Sequence, residues 1–129
     1  MKRIVSVILA FLFVFALCSC GKPEETSDAM YQIGINALSV ADDYIGGKIM
    51  NDETKERLHE FMEQADKQYE AECKEVGSDT LIGTEYSNDA IIQLSISSLY
   101  FSVSSAGYGS TPMSEIIDRR DSLAKYLGE

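Results

Sequence analysis

The stretch that decides the fold is residues 51–76, NDETKERLHEFMEQADKQYEAECKEV, which has the clearest helical pattern in the chain. Its apolar residues recur every three or four positions, so they lie on one side of a helix, and the opposite side is charged. These apolar residues are Leu58, Phe61, Met62, Ala65, Tyr69, Cys73 and Val76. We predict an amphipathic helix that Asn51 or Asp52 caps and that Gly77 ends.

Two further segments have similar spacing. A helix is predicted over residues 28–45, with Ser27 as its N-cap and two glycines after its end. Another is predicted after Thr111 and Pro112, which supply a capping hydroxyl and a proline suited to a helix start, and it runs to Leu127. The apolar residues expected to face inward in this last helix are Met113, Ile116, Ile117, Leu123, Ala124 and Leu127.

The segment over residues 88–106 admits two interpretations. Its Ser, Ile and Val content and the alternation over residues 93–97 favour a strand. Its apolar residues nevertheless complete a helical seam, and a single strand among helices has no partner. The seam consists of Ile92, Ile96, Leu99, Val103 and Ala106. We predict a helix that Ser87 caps, which gives an all-α fold, a small antiparallel four-helix bundle over residues 28–129.

The first 20 residues differ from the rest of the chain. Lys2 and Arg3 precede an unbroken apolar run over residues 4–17, which is the arrangement of an export signal. As a helix this run is about 21 Å long, which is short against roughly 30 Å of bilayer hydrocarbon. We therefore predict a signal peptide rather than a stable transmembrane anchor.

The end of this leader, Leu17-Cys18-Ser19-Cys20, resembles the lipobox of bacterial lipoproteins. The resemblance implies that Cys20 receives a diacylglyceryl group and that the signal peptide, residues 1–19, is removed just before it. Residues 20–27 then form the lipidated cysteine and a flexible tether, with the bundle on the extracytoplasmic face of the cell membrane. Two acyl chains are enough for stable anchoring. Ordinary secretion and an uncleaved anchor are the alternatives.

Charge and cysteine content restrict the possible partners. Without Lys2 and Arg3 the chain has nine basic and 21 acidic side chains, a net charge of −12. A chain this acidic is not expected to bind nucleic acid and is repelled by anionic lipid, so the expected membrane contact is through the acyl chains on Cys20. Cys73 is the one cysteine left over, either as a small buried hydrophobe or as an exposed thiol that forms an intermolecular disulfide.

An unusual placement of charge predicts a structural ion pair. Asp42 and Asp43 fall in the last turn of the helix over residues 28–45, where the helix dipole disfavours carboxylates. Arg119 and Arg120 lie in the last predicted helix, with Arg120 on its inner side. We predict that one of these arginines pairs with one of these aspartates.

No residue pattern predicts catalysis, and we expect neither a metal nor a cofactor. His59, Glu63, Asp66 and Glu70 form a row along one helical side. This row lies on the charged side of its helix, so we expect it to be solvated. The sequence has no Gly-rich phosphate loop, no Ser-His-Asp set and no zinc-ligand spacing.

Three classes of function remain. The first is a lipid-anchored, non-catalytic interaction module for an envelope protein or peptide, in which Tyr100 and Tyr108 are candidate surface residues. The second is a carrier that holds a small molecule or peptide between the helices, next to the small polar side chains of Ser95, Ser98 and Ser102. The third is a hydrolase, which has the least support.

Overall fold

The computed structural model describes residues 21–129, which form four α-helices and no strand. The helices are α1 (Asp28–Ile45), α2 (Asn51–Val76), α3 (Ser87–Ala106) and α4 (Met113–Leu127). This confirms the predicted all-α bundle, and the ambiguous third segment is a helix. The predicted signal peptide and the predicted lipidation site at Cys20 lie outside the described residues.

Polar contacts at the two ends of the bundle show its antiparallel order. At one end, the Asn51 side chain at the start of α2 donates to the Tyr44 hydroxyl (3.2 Å) and to the Val103 carbonyl (2.9 Å). These two residues lie near the ends of α1 and α3. At the other end, the Asn88 side chain near the start of α3 donates to the Tyr126 carbonyl near the end of α4 (2.9 Å). Helix starts therefore meet the ends of neighbouring helices.

The core lies between the four helices. The predicted seam of α3 is buried from Ile92 to Val103, and it packs against fully buried side chains from every other helix. Gly34 is buried in α1, where a Cβ would lie 2.6 Å from Leu127 Cδ2, so glycine permits the close approach of α1 and α4. Leu81 is also fully buried, which shows that the loop between α2 and α3 packs on the bundle.

The helix ends agree with the sequence in part. The Ser27 hydroxyl accepts from the Met30 amide (3.1 Å) and caps α1, and Gly77 ends α2 in the left-handed conformation (φ 68°), as predicted. The prediction that Asn51 or Asp52 caps α2 is wrong. Met50 is the N-cap and Asn51 is the first helical residue, because its side chain bonds across the end of the bundle.

The starts of α3 and α4 also differ from the prediction. Tyr86 occupies the N-cap of α3, and the Ser87 hydroxyl accepts from the Gly83 amide (2.8 Å) in the preceding loop. Pro112 rather than Thr111 is the N-cap of α4.

The prediction that Met113 and Ile117 face inward is wrong. Both side chains are exposed, because each helical residue is rotated by about 100° from the next and Ile116 takes the inner position in this turn. The inner side of α4 is therefore narrower than the sequence pattern indicated. None of the helices within residues 21–129 is both long and apolar enough to cross a bilayer.

Part of the predicted tether, residues 20–27, contacts the bundle. The Glu25 carbonyl accepts from the Asn88 amide (3.1 Å), and the Thr26 hydroxyl accepts from the Asn88 side chain (2.8 Å). Thr26 is buried. Residues 25–27 are therefore held against the start of α3, because their backbone and hydroxyl groups find hydrogen-bond partners there.

Candidate functional site

The third helix is apolar on two sides. Its seam is buried, while the opposite side exposes Leu94 (65 %), Phe101 (60 %) and Ile91 (39 %). Ser98 and Ser105 continue the same spacing of three and four residues, so all five positions share one side of the helix. We call the set Ile91, Leu94, Ser98, Phe101 and Ser105 the α3 outer face.

This face lies within an uncharged stretch of the chain. Residues 90–114 contain no Asp, Glu, Lys, Arg or His, whereas the chain after residue 19 has a net charge of −12. Monomeric proteins rarely leave contiguous apolar surface exposed, and a helix that is apolar on both sides is usually covered on both. The α3 outer face is therefore the candidate functional site.

A groove with two open depressions runs between this face and α4. The first has a volume of about 240 Å³ and is lined by Leu94 and Ser95 of α3 and by Tyr126 of α4, among others. The second has a volume of about 280 Å³ and lies towards Phe101. Ser98 and Arg119 line both depressions. The groove is thus mostly uncharged, and its charged lining residues are Arg119 and Glu115, whose Nη2 and Oε1 atoms lie 3.7 Å apart.

The serines of α3 lie differently from the prediction. Ser102 is buried, but Ser95 and Ser98 are half-buried and line the groove next to α4. The large apolar side chains of the seam occupy the interior side of α3, which leaves the outer side to these small residues. Ser95 and Ser98 therefore line an open groove between α3 and α4 rather than the interior of the bundle.

The two candidate tyrosines lie in different surroundings. Tyr108 follows α3 and is exposed. Tyr100 is half-buried, and its ring packs against His59 (centroid distance 5.3 Å) and Phe101 (5.2 Å). Tyr100 therefore links the α3 outer face to α2, and Tyr108 is the freer contact residue.

The structure brings together two of the four residues considered for an ion pair. Arg120 Nε lies 2.6 Å from Asp42 Oδ1 and Arg120 Nη2 lies 3.2 Å from Asp42 Oδ2, a two-pronged contact between α4 and α1. The hydrogen bond with Asp42 raises the pKa of Arg120. Asp43 instead lies 3.1 Å from Lys48 Nζ, and Arg119 lies in the α3–α4 groove.

Two buried carboxyl groups were not found by sequence reasoning. Glu72, near the end of α2, and Asp89, near the start of α3, are both buried. Glu72 Oε1 accepts from the Gln68 side chain (2.7 Å), and both Asp89 oxygens accept from the Ser27 backbone amide (3.1 and 3.2 Å). Glu72 Oε2 is also buried and accepts no hydrogen bond from a fixed donor within residues 21–129.

The surroundings of Asp89 favour its protonated form. The pKa of Asp89 is raised to about 7, mainly by burial. The hydrogen bond from Ser27 lowers this pKa, and the hydrogen bond with Glu72 raises it. In its protonated form the Asp89 carboxyl group is a donor that the neighbouring Glu72 carboxylate can accept. Both groups are closed to substrates, so the pair is a structural link between α2, α3 and the start of α1.

Spacing is the signal that identifies both carboxyl groups. Glu72 follows Leu58 and Ala65 at intervals of seven residues, and Asp89 lies seven residues before Ile96. Such intervals place them on the inner sides of their helices. A charged residue at an inner position requires a partner, because burying it alone is costly.

The remaining candidates do not form a site. Cys73 is half-buried and lines an open depression of about 430 Å³ near the end of α2. In the His59 row, His59 packs against Tyr100, and Asp66 accepts from the Gln93 side chain (2.6 Å). Within residues 21–129, no group of three or more His, Cys, Asp and Glu side chains is arranged to hold a metal ion.

Comparisons with protein-family models, with curated protein sequences and with solved structures found no match.

Proposed function

We propose that this protein is a lipid-anchored, non-catalytic interaction module of the bacterial cell envelope, and that the α3 outer face is its docking surface. The observation that carries the proposal is the uncharged apolar side of α3 on a strongly acidic chain. Burial of this side by a partner removes apolar area from water at about 25 cal/mol per Å². A charged side of the same length offers no such gain.

The proposed location at the membrane rests on the lipobox resemblance at residues 17–20. Gly21 and Pro23 lie against Gly128 at the end of α4, and Lys22 pairs with Asp28, so the chain is held on the bundle from Gly21 onwards. With Cys20 acylated, the anchor then directly precedes a segment that is packed on the bundle. The proposed docking surface is therefore displayed close to the outer side of the membrane.

The proposed membrane location is tested by measuring the intact mass of the protein purified from a bacterial host. We expect a chain that begins at Cys20 and carries the added mass of acyl groups, and we expect Cys20→Ser to remove both that mass and membrane retention. Cys18→Ser is the matched control, because Cys18 leaves with the signal peptide. A mature chain that begins at Met1, or that lacks the added mass, contradicts the proposal.

The docking surface is tested with a photo-crosslinking residue in place of Leu94, in the anchored protein in intact cells. The matched control carries the same residue in place of Lys67, an exposed position on the charged side of α2. We expect a discrete protein adduct from position 94 and none from position 67. Recovery of lipid alone, or equal adducts from both positions, counts against the proposal.

A carrier function has weaker support. The depressions beside α3 have volumes of about 240 and 280 Å³, below the 300–1,000 Å³ usual for small-molecule pockets, and the larger depressions of about 430 Å³ at Cys73 and at His59 are open to solvent rather than enclosed between the helices. A hydrolase has weaker support still, because Asp89, the carboxyl group whose pKa burial raises, is buried, and so is the neighbouring Glu72. A ligand-dependent rise in melting temperature is the measurement that favours the carrier.

A further inference from the structure

We propose that the partner of the α3 outer face is a second copy of this chain, and that two α3 helices pack antiparallel about a two-fold axis at Ser98. This inference rests on the proposed docking function and names its partner. It is carried by the order of residues along the face and by the distribution of charge.

The order of residues makes the face self-complementary. Leu94 lies four residues before Ser98 and Phe101 lies three residues after it, which is about 6 Å and about 4.5 Å along the helix axis. In an antiparallel pair centred on Ser98, Leu94 of one copy therefore comes level with Phe101 of the other. The same contact repeats on the far side of the axis, as a two-fold interface requires.

Ser98 suits the centre of such a pair. Its small side chain lies between the two apolar ones on the same helical side, so it permits close approach of two helix backbones. Leu94 and Phe101 are 65 % and 60 % exposed, so both are available for burial. A partner could bury both side chains without any rearrangement of the core.

The distribution of charge favours this face for self-association. Two copies with a net charge of −12 each repel one another, and the repulsion is greatest where acidic side chains face each other. The charged side of α2 brings carboxylates together, whereas residues 90–114 bring none, and the carboxylate of Glu115 in the adjoining groove is paired with Arg119. A cationic partner would instead be drawn to the acidic surfaces and would gain nothing from an uncharged one.

The experiment uses the full chain in bacterial membranes, in a Cys73→Ser background, with a short bis-maleimide crosslinker. The probe is Ser98→Cys, because a residue on the axis meets its own copy. The matched control is Lys67→Cys on the charged side of α2. The Cys73→Ser parent measures any crosslinking through the leader cysteines.

We expect a band at twice the chain mass for Ser98→Cys, several-fold stronger than for Lys67→Cys or for the parent. Higher salt should strengthen this band, because salt screens the repulsion between the two acidic chains. Adding Leu94→Ser should weaken it. Adding Ile82→Ser should leave it unchanged, because Ile82 is 75 % exposed but lies in the loop before α3.

A Ser98→Cys band no stronger than that of Lys67→Cys overturns the inference. An adduct of Ser98→Cys with a different protein also overturns the second copy as partner, but it supports the docking function. Absence of any protein adduct both here and from a photo-crosslinker at position 94 counts against both proposals. Circular dichroism of each variant checks that the helices are retained.

Discussion

The outer sides of α2 and α3 have little in common, although both helices bury an apolar side in the same core. The outer side of α2 carries mostly charged residues, whereas that of α3 carries Leu94 and Phe101 among serines. A charged side keeps a helix in water, and an apolar side favours burial against another surface. Two helices of one bundle therefore differ most on the sides that do not hold the bundle together.

The largest expected effect compares the two sides of α3 with one residue type. Leu99→Ala, on the buried seam, should lower the free energy of unfolding by about 2–5 kcal/mol, because it leaves a cavity. Leu94→Ala, on the outer face, should lower it by less than about 1 kcal/mol. Urea unfolding followed by circular dichroism measures both. Similar losses at the two positions would break the distinction between inner and outer sides.

The next effect concerns the buried contact where α2 and α3 meet. Because the pKa of Asp89 is raised to about 7 in the fold and is near 4 in the unfolded chain, the unfolded state loses this proton first as pH rises. Its contribution to stability is thus present below about pH 4 and declines up to about pH 7. Asp89→Asn keeps a donor for Glu72 and an acceptor for Ser27 without the titration.

We therefore compare the free energy of unfolding of Asp89→Asn with that of the wild type at two pH values. The variant should gain on the wild type between pH 5 and pH 8, by on the order of 1–3 kcal/mol. Urea unfolding at a series of pH values measures this difference. Asp79→Asn, at an exposed position in the loop after α2, is the matched control and should follow the wild-type profile. Parallel profiles for wild type and Asp89→Asn would show that Asp89 is not the titrating group.

A smaller effect is expected at the contact between α1 and α4. Arg120→Met should destabilise the wild type, but much less so in an Asp42→Asn background, with a coupling energy of about 0.5–1 kcal/mol. The same double-mutant comparison with Asp43→Asn in place of Asp42→Asn should give no coupling energy, because Asp43 lies beside Lys48. Equal coupling to Asp42 and Asp43 would contradict the two-pronged geometry.

The smallest effect concerns the charged side of α2. Arg57 Nη2 lies 2.7 Å from Glu53 Oε1 one turn earlier. Glu53→Gln should lower the free energy of unfolding by about 0.2–0.5 kcal/mol at low salt, and high salt should remove the difference. A loss above about 1 kcal/mol in thermal or urea unfolding would mean that this side contributes to stability as the buried sides do.

The limits of sequence reasoning are visible at particular residues. The cap at Ser27 and the end at Gly77 were predictable, because each acts on its own helix. The N-caps of α2 and α3 were not, because Asn51 and Ser87 bond to groups in other parts of the fold or in the preceding loop. The choice of Asp42 rather than Asp43 as the contact of Arg120 depends on the rotation of α1 and α4 about their axes.

By itself, the sequence determined the number of helices within residues 21–129 and, to within a residue or two, their extents. Periodic apolar residues and terminal glycines act locally, so they can be recognised without the partner helices. Only the tertiary structure decided which side of α3 is left uncovered and which carboxyl groups are buried together. Both depend on how helices far apart in the chain turn towards one another, because an apolar side or a carboxyl group is buried only where another element covers it.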